Sequence, residues 1–157
     1  MNQKMDSSIG HNFLSSSVEQ TIAIAKEFAQ RLQPNDVVII QGGLGVGKTH
    51  FTKGLAAYFD IKQEQVQSPT YAVVHEYVGQ ITLYHFDLYR LKSPSELHEI
   101  GFEEYLYNEG ICIIEWPELA LSFVSDDWWA VDIERSNNGP ESRAIHIRKK
   151  QSYVAGQ

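Results

Sequence analysis

A glycine-rich segment that ends in lysine and threonine is the strongest chemical signal in the sequence. Residues 42–49 read GGLGVGKT and match the P-loop pattern G-x-x-x-x-G-K-[ST]. Glycines let the backbone wrap a polyphosphate with its N–H groups facing inward, and a helix that starts here adds partial positive charge. The Lys48 ammonium then reaches the β- and γ-phosphates, and the Thr49 hydroxyl is placed for Mg²⁺. The alternative is a structural strand-to-helix turn with an exposed lysine.

The nucleotide is predicted to be ATP. GTPases usually carry an Asn-Lys-x-Asp guanine signature, and this sequence contains none. Contacts to the nucleotide are expected along the loop and the start of its helix, from Gly43, Leu44, Gly45, Val46, Gly47, Lys48, Thr49 and His50.

Two acidic residues stand at the ends of strand-like runs, where a P-loop enzyme needs groups that hold Mg²⁺ and orient water. Glu115 follows the apolar run at residues 111–114, at the position of a Walker B acid, although aspartate is more usual there. Asp87 follows the run at residues 81–86. Either residue could instead be a solvated carboxylate at a strand end.

Two further features lie around this pair of acids. Ser68-Pro69-Thr70 falls between the second helix and the following hairpin, the usual location of a switch loop, where a hydroxyl can bind Mg²⁺ or sense the γ-phosphate. Taken alone, this tripeptide is equally a simple turn. His85 shares its strand with the apolar Leu83, which favours a satisfied core histidine over a metal ligand.

The elements that must position these groups follow from hydrophobic periodicity and end signals. The first half of the chain predicts a helix from the N-cap Ser17 to about Gln33, a strand buried on both faces at residues 37–40, and a helix after the P-loop. An antiparallel hairpin is expected at residues 71–78 and 81–86, with a tight turn at 79–80.

The second half of the chain repeats the alternation of helix and strand. Ser93-Pro94 predicts the start of a helix that continues past Gly101 to Gly110, and a second buried strand follows at residues 111–114. Residues 128–133 and 144–148 predict a C-terminal hairpin. The fold class is therefore expected to be α/β and similar to P-loop NTPases, with a mixed central sheet flanked by helices.

Composition limits the class of protein. The 157 residues carry 13 Lys plus Arg against 20 Asp plus Glu, a formal net charge of −7, which disfavours unaided binding to nucleic acid. One cysteine excludes an internal disulfide, and neither a signal peptide nor a membrane-length apolar run is visible, so a cytoplasmic protein is expected. We expect a flexible tail at residues 1–14, a single ATPase domain at 15–150 and a short tail at 151–157.

Four motifs in order resemble the TsaE family, the small bacterial ATPase of tRNA threonylcarbamoyladenosine biosynthesis. They are the P-loop with Phe51, Ser68-Pro69-Thr70-Tyr71, HFDLYRL at residues 85–91 and EWPE at residues 115–118. The similarity extends from about residue 15 to residue 135. Two positions depart from the family pattern, which usually has aspartate at Gly43 and phenylalanine at Tyr71.

The resemblance implies an Mg²⁺-dependent ATPase that acts with two partner proteins. Those partners carry the chemistry that attaches threonylcarbamoyl to adenosine in the tRNA anticodon loop, so tRNA is reached through the complex. By family analogy the catalytic residues are Lys48, which binds phosphate, and Asp87, which serves the catalytic water or the metal. Thr49 and Glu115 hold Mg²⁺. The same analogy makes Ser68 and Thr70 the switch residues and places Ser17 near the nucleotide.

Two other functions are compatible with a P-loop. A small-molecule kinase would need an acceptor pocket and normally a lid with arginines, and the segment between Thr70 and Glu115 has no arginine cluster. A nucleotide-binding regulatory module without turnover is the other alternative, and the presence of both Asp87 and Glu115 argues mildly against it.

Overall fold

The computed structural model describes residues 10–67, 73–124 and 127–150. The predicted switch residues Ser68 and Thr70 lie outside this part of the chain. The strands are β1 (His11–Ser15), β2 (Val37–Gln41), β3 (Val74–Tyr77), β4 (Leu83–Asp87), β5 (Ile111–Glu115), β6 (Trp128–Arg135) and β7 (Arg143–Lys150). The helices are α1 (Val18–Ala29), α2 (Lys48–Tyr58), α3 (Pro94–Glu99) and α4 (Phe102–Leu106), with short 3-10 turns at Gln63–Gln65 and Pro117–Leu119.

All seven of these strands form one mixed sheet in the order β1-β7-β6-β2-β5-β4-β3. The four central strands β6, β2, β5 and β4 are parallel, whereas β3 on one edge and β7 and β1 on the other pair antiparallel. The P-loop strand β2 lies between β6 and β5. The predicted mixed α/β fold is thus confirmed.

Helices cover both faces of the central strands, and the alternation of side chains along β2 shows how. Val38 and Ile40 pack into one core with residues of α1 and α2, such as Phe28 and Phe51. Val37 and Ile39 pack into a second core with residues of α3 and α4. Both faces of β2 are buried, which explains its unbroken run of β-branched residues.

The N-terminal region corrects two expectations. The predicted tail through residue 14 is too long, because residues 11–14 belong to β1 and pair with β7. Asn12 and Leu14 alternate with the half-buried His11 and Phe13, an edge-strand pattern too short to read from sequence. Helix α1 begins after its predicted N-cap Ser17 but ends at Ala29 rather than near Gln33, since the chain turns before Pro34.

Two predicted connections also differ from the structure. The hairpin between β3 and β4 is antiparallel as expected, but residues 78–82 connect the strands instead of a two-residue turn. The helix predicted from Ser93 to Gly110 is broken at Gly101, whose φ of +73° ends α3 and begins α4. Glycine adopts this left-handed conformation at little cost, so the local backbone preference overrides the helical spacing.

No helix in the described ranges is long and apolar enough to cross a membrane.

Candidate active site

The P-loop has the strand–loop–helix context that its chemistry requires. It leaves the carboxyl end of β2 and enters α2 directly at Lys48, with Gly47 as N-cap at a φ of +109°. Gly45 also has a positive φ, +75°, so two glycines take conformations that other residues rarely adopt. The first turn of α2 holds Thr49 and His50, both partly buried, while Leu44 at the tip of the loop is exposed.

The first two glycines of the motif have different surroundings. A Cβ atom at Gly42 would lie 2.5 Å from the Ile133 carbonyl oxygen and 2.6 Å from a methyl group of Val46, so no larger residue fits. A Cβ atom at Gly43 would meet its nearest neighbour, Val46, at 3.9 Å. Gly43, where the sequence departs from the family pattern that it resembles, therefore has room for a side chain.

Lys48 is held inside the loop. Its Nζ donates a hydrogen bond to the Gly42 carbonyl oxygen at 2.9 Å, lies 3.7 Å from Glu115 Oε1 and sits 4.4 Å from the centre of the Trp116 ring. The side chain is only 8% exposed. The structure therefore brings the P-loop lysine and the acid at the end of β5 together, as the sequence pattern requires.

The two predicted acids are neighbours. Asp87 and Glu115 are register partners at the ends of the parallel strands β4 and β5, and strand alternation places both on the sheet face that α1 and α2 cover. The Asp87 Oδ1 accepts a hydrogen bond from the Tyr89 N–H at 3.0 Å. Burial raises the pKa of Asp87, and the negative charge of Glu115 raises it further, against the lowering effect of that N–H and of Lys48.

Glu115 is buried and has a second partner that the sequence did not reveal. Its Oε2 accepts a hydrogen bond from His85 Nε2 at 2.6 Å, and the histidine itself is fully buried. His85 was predicted to be a core residue whose ring nitrogens have hydrogen-bond partners. The ring does have such partners, but one of them is Glu115, the predicted metal ligand. The signal that points to this role is its two-residue spacing from Asp87, which places both side chains on one face of β4.

The other ring nitrogen of His85, Nδ1, lies near Tyr77 rather than Glu115. His85 Nδ1 lies 3.4 Å from the Tyr77 hydroxyl, which also donates to the Gln67 carbonyl oxygen at 3.2 Å. The Gln67 N–H donates back to this hydroxyl at 3.4 Å, and His75 Nδ1 lies 3.3 Å from it. Burial is the main reason that the pKa of Tyr77 is raised, so the hydroxyl keeps its proton.

Two arginines of the C-terminal hairpin contact the P-loop and could not be identified from sequence. Arg143 on β7 donates from Nε to the Val46 carbonyl oxygen at 2.7 Å, and Arg135 at the end of β6 reaches the Gly45 carbonyl oxygen at 3.4 Å. The two arginines are register partners. Each lies at least 90 positions along the chain from its loop contact, which no local pattern reports.

The N-terminal segment approaches the same end of the sheet. Ser15 on β1 is the register partner of Arg143, and Ser17 caps α1 by accepting a hydrogen bond from the Gln20 N–H at 3.1 Å. The Gln20 side chain returns to the Ser16 N–H at 2.6 Å rather than to Ser17, so the capping box is shifted by one residue. The predicted nucleotide contact of Ser17 stays a prediction.

His50 is the other predicted loop contact with a distinctive environment. Burial lowers its pKa, and the positive charges of Lys53 and Arg143 lower it further. Its Nδ1 is buried and has no hydrogen-bond partner among the residues that the structure describes. The imidazole is therefore favoured in its neutral form next to the loop.

Trp116, the residue after Glu115, lies between the P-loop lysine and the exposed Tyr89. It has a φ of +56°, an uncommon conformation for a bulky residue and doubly so before Pro117. Its ring lies against Lys48 on one side and 4.8 Å from the ring of Tyr89, which is 63% exposed. An aromatic pair thus links the buried lysine to a surface side chain.

A cavity of about 900 Å³ lies on the other side of the P-loop. It is lined by β1, β7, the end of β6 and residues 41–43. Asp87 and Glu115 are not part of its lining, because β5 and β4 lie on the opposite side of β2. The acids and this cavity therefore flank the phosphate loop from two sides.

Comparison with known proteins identifies the family. The family model described as "Threonylcarbamoyl adenosine biosynthesis protein TsaE" matches residues 15–145. The chain belongs to the TsaE family. A Rickettsia conorii relative named tRNA threonylcarbamoyladenosine biosynthesis protein TsaE is 39% identical over 137 residues, which cover 87% of this chain and 78% of the relative.

Other TsaE-family comparisons agree with this assignment. A Bacillus subtilis relative of the same name is 39% identical over 128 residues, which cover 81% of this chain and 78% of the relative. The crystal structure of Bacillus subtilis YdiB superposes with a TM-score of 0.73 at 29% identity, covering 94% of this chain and 90% of that one. The predicted family and its P-loop NTPase-like fold are thus confirmed.

The donor set of this TsaE-family site fits a magnesium ion that arrives with a nucleotide. Among the residues with described positions, no group of three or more His, Cys, Asp or Glu side chains could hold a metal by itself. Mg²⁺ at phosphate sites is usually bound by one or two protein oxygens, waters and the phosphates. Thr49 in the first turn of α2 and Glu115 beside Lys48 are the oxygen donors that meet this description.

Proposed function

We propose that this protein is an Mg²⁺-dependent ATP hydrolase of tRNA threonylcarbamoyladenosine biosynthesis. The single observation that supports hydrolysis best is the 3.7 Å approach of Lys48 Nζ to Glu115 Oε1, which brings the phosphate loop and an acid of β5 into one site. Family membership supports the pathway, since the relatives carry its name.

Each polar group has a role that its position supports. The inward N–H groups of the loop and Lys48 hold the β- and γ-phosphates, while Thr49 and Glu115 bind Mg²⁺, which neutralises charge that develops on the phosphates. Asp87 orients the attacking water. Its Oδ1 already accepts the Tyr89 N–H, so Oδ2 is the oxygen that accepts from the water.

Partner proteins complete the site in this proposal. A chain with net charge −7 is poorly suited to holding tRNA alone, so two partners bind the tRNA and carry the transfer of threonylcarbamoyl to adenosine. Docking at the switch segment, residues 68–71, would position the water. Hydrolysis in the isolated protein is therefore slow.

Phosphate release from ATP tests this function directly. Release should require Mg²⁺, should rise when both partners are added, and should fall sharply in a folded Lys48→Ala variant. Wild-type and Lys48→Ala proteins with equal rates and equal nucleotide affinity would overturn the phosphate site. Phosphate appearing only on an added small-molecule acceptor would replace hydrolysis by kinase activity, and tight ATP binding without release in any mixture would indicate a regulatory module.

A further inference from the structure

Glu115 does not stand alone in the site, since a continuous polar connection runs from it to the residue that precedes the predicted switch segment. The connection passes from Glu115 to His85 at 2.6 Å, from His85 to the Tyr77 hydroxyl at 3.4 Å, and from Tyr77 to the Gln67 backbone at 3.2 Å. His85, Tyr77 and Glu115 are all at least 95% buried.

Hydrogen-bonding capacity gives the connection a direction. A carboxylate only accepts, so His85 Nε2 carries the hydrogen that Glu115 receives. In the neutral ring Nδ1 is then an acceptor, and the Tyr77 hydroxyl is the donor within reach. That hydroxyl has one hydrogen, and His85 Nδ1, His75 Nδ1 and the Gln67 carbonyl oxygen all lie within its reach. A movement of the backbone at Gln67 therefore changes what His85 receives.

The structural surroundings make the histidine rigid. It lies on β4 between β3 and β5, opposite His75 on one side and Ile113 on the other. A buried imidazole held at both nitrogens has a fixed ring orientation, and partners of this kind orient metal-binding side chains elsewhere. Lys48 restrains the other oxygen of Glu115 from the opposite direction.

We propose that His85 and Tyr77 are positioning residues of the metal site, which set the orientation of the Glu115 carboxylate according to the backbone position at Gln67. This inference rests on the proposed function, because it takes Glu115 to be a magnesium ligand. In this role neither residue needs to contact the nucleotide. Their effect is on how tightly Mg²⁺ binds with ATP and on how strongly partners stimulate the protein through the adjacent segment.

Four variants separate positioning from packing. His85→Gln keeps an N–H donor where Nε2 meets Glu115, whereas His85→Asn keeps a polar group only toward Tyr77. Tyr77→Phe removes the hydroxyl that joins Gln67 to His85. Tyr84→Phe is the matched control. It removes the hydroxyl of a buried tyrosine on the neighbouring strand and the opposite sheet face, where the hydroxyl accepts a hydrogen bond from Asn108.

The measurement is the affinity for a fluorescent ATP analogue as a function of Mg²⁺ concentration, with EDTA as the metal-free reference. His85→Asn should raise the Mg²⁺ concentration at half-saturation by about tenfold or more, the scale found when partners of metal ligands are removed. His85→Gln should recover most of this loss, Tyr77→Phe should show an intermediate rise, and Tyr84→Phe should match wild type. Affinity in EDTA should stay the same in all four.

Phosphate release with and without the partner proteins supplies the second readout. Tyr77→Phe should reduce the stimulation by partners more than it reduces the basal rate, and Tyr84→Phe should leave both unchanged.

The results that overturn the inference are specific. The first is an equal Mg²⁺ dependence of nucleotide affinity in Tyr77→Phe and Tyr84→Phe. The second is an equal rise of the half-saturating Mg²⁺ concentration in His85→Gln and His85→Asn. The third is a nucleotide affinity of the wild type that does not depend on Mg²⁺. If His85→Asn does not fold, the two tyrosine variants decide. Failure of the proposed function is a different result, namely no phosphate release from wild type with partners present, and the affinity measurements remain decisive in that case.

Discussion

Asp87 and Glu115 end adjacent parallel strands as register partners, yet their surroundings differ sharply. Glu115 is 3% exposed and lies between Lys48 and His85. Asp87 is only partly buried, and its Oδ1 accepts the backbone N–H of Tyr89. One carboxylate is therefore restrained between two side chains beside the P-loop lysine, while the other is held at Oδ1 by a backbone N–H. Different surroundings predict different roles.

Substitution of each acid should separate those roles. Glu115→Gln should weaken the dependence of nucleotide affinity and hydrolysis on Mg²⁺, because an amide is a poorer magnesium ligand. Asp87→Asn should leave nucleotide affinity nearly unchanged and lower turnover by about 100-fold, the low end of what a positioned base contributes. Titration of Mg²⁺ against rate and affinity for both variants checks this. The opposite pattern would exchange the two assignments.

Burial of Asp87 predicts a pH effect on stability that is independent of catalysis. Its pKa in the folded protein is raised above the ordinary 3.8, mainly by burial, so the folded state binds more protons than the unfolded state between the two pKa values. The Asp87 contribution to the unfolding free energy therefore decreases as pH rises through that window. Asp87→Asn should remove this decrease and be more stable than wild type at neutral pH.

Urea unfolding of both proteins across the acid range, without nucleotide or metal, measures this contribution. Asp132→Asn is the control for a general loss of negative charge, since Asp132 lies on β6 away from the two acids. An Asp87→Asn protein whose stability follows the wild-type pH profile would show that the raised pKa has no consequence for folding.

The P-loop glycines should differ in their tolerance of substitution. Gly42→Ala places a methyl group 2.5 Å from the Ile133 carbonyl oxygen and should destabilise the protein by about 1–3 kcal/mol, while nucleotide affinity falls because the loop shifts. Gly43→Ala is the matched control and should be nearly neutral, since its Cβ meets nothing closer than 3.9 Å. Thermal unfolding and nucleotide titration test both. A harmless Gly42→Ala would contradict the close approach.

The fold could be predicted from the sequence wherever a local pattern has a physical cause. The β-branched run of β2 and the glycines at residues 42–47 specified a buried strand that feeds a phosphate loop, and the structure confirms this arrangement. Ser93 and Pro94 marked the start of α3 because capping and a preset φ act within one turn. The break between α3 and α4 at Gly101 was not predicted, because hydrophobic spacing does not reveal which residue adopts a left-handed conformation.

The motif residues of the candidate site could be predicted from the sequence, but the residues that hold them in place could not. Lys48, Asp87 and Glu115 are recognisable by residue type at strand ends, and the structure brings them together. His85 and Arg143 act through contacts between segments that are distant in sequence. The spacing of His85 from Asp87 shows that the two share a strand face, but not that His85 meets Glu115. Such contacts depend on strand order, which periodicity does not determine.

Arg143 illustrates this dependence and offers a test. Its guanidinium donates to the carbonyl oxygens of Val46, Pro140 and Ser142, so it joins the β6–β7 connection to the phosphate loop. Arg143→Ala should lower nucleotide affinity by about tenfold. Loss of a charge-assisted hydrogen bond costs about 1.5–3 kcal/mol, and only part of this cost destabilises the loop conformation that binds the nucleotide. Arg148→Ala, an exposed arginine on the same strand, is the control and should bind nucleotide normally. Equal affinities in the two variants would remove Arg143 from the site.

The last prediction concerns how partners reach the buried acids. Tyr89 is 63% exposed, and its ring packs against Trp116, which contacts Lys48. The Tyr89 backbone N–H donates a hydrogen bond to Asp87. A protein that binds over Tyr89 would therefore contact an aromatic pair that in turn contacts the phosphate-binding Lys48. Large aromatic side chains are frequent anchors of protein interfaces. Tyr89→Ala should leave the slow basal hydrolysis near wild type and should remove most of the stimulation by partners.

Tyr107→Ala is the matched control for this test, because Tyr107 is another exposed tyrosine, at the end of α4 and beyond the opposite end of β5. Steady-state hydrolysis should be measured for wild type and both variants alone, with each partner, with both partners and with tRNA only. Stimulation should require the partners, be absent with tRNA only, and persist in Tyr107→Ala. Full activity of the isolated wild type would contradict partner activation. An equal loss in both variants would place the docking surface elsewhere, because a contact centred on Tyr89 cannot depend on a side chain beyond the opposite end of β5.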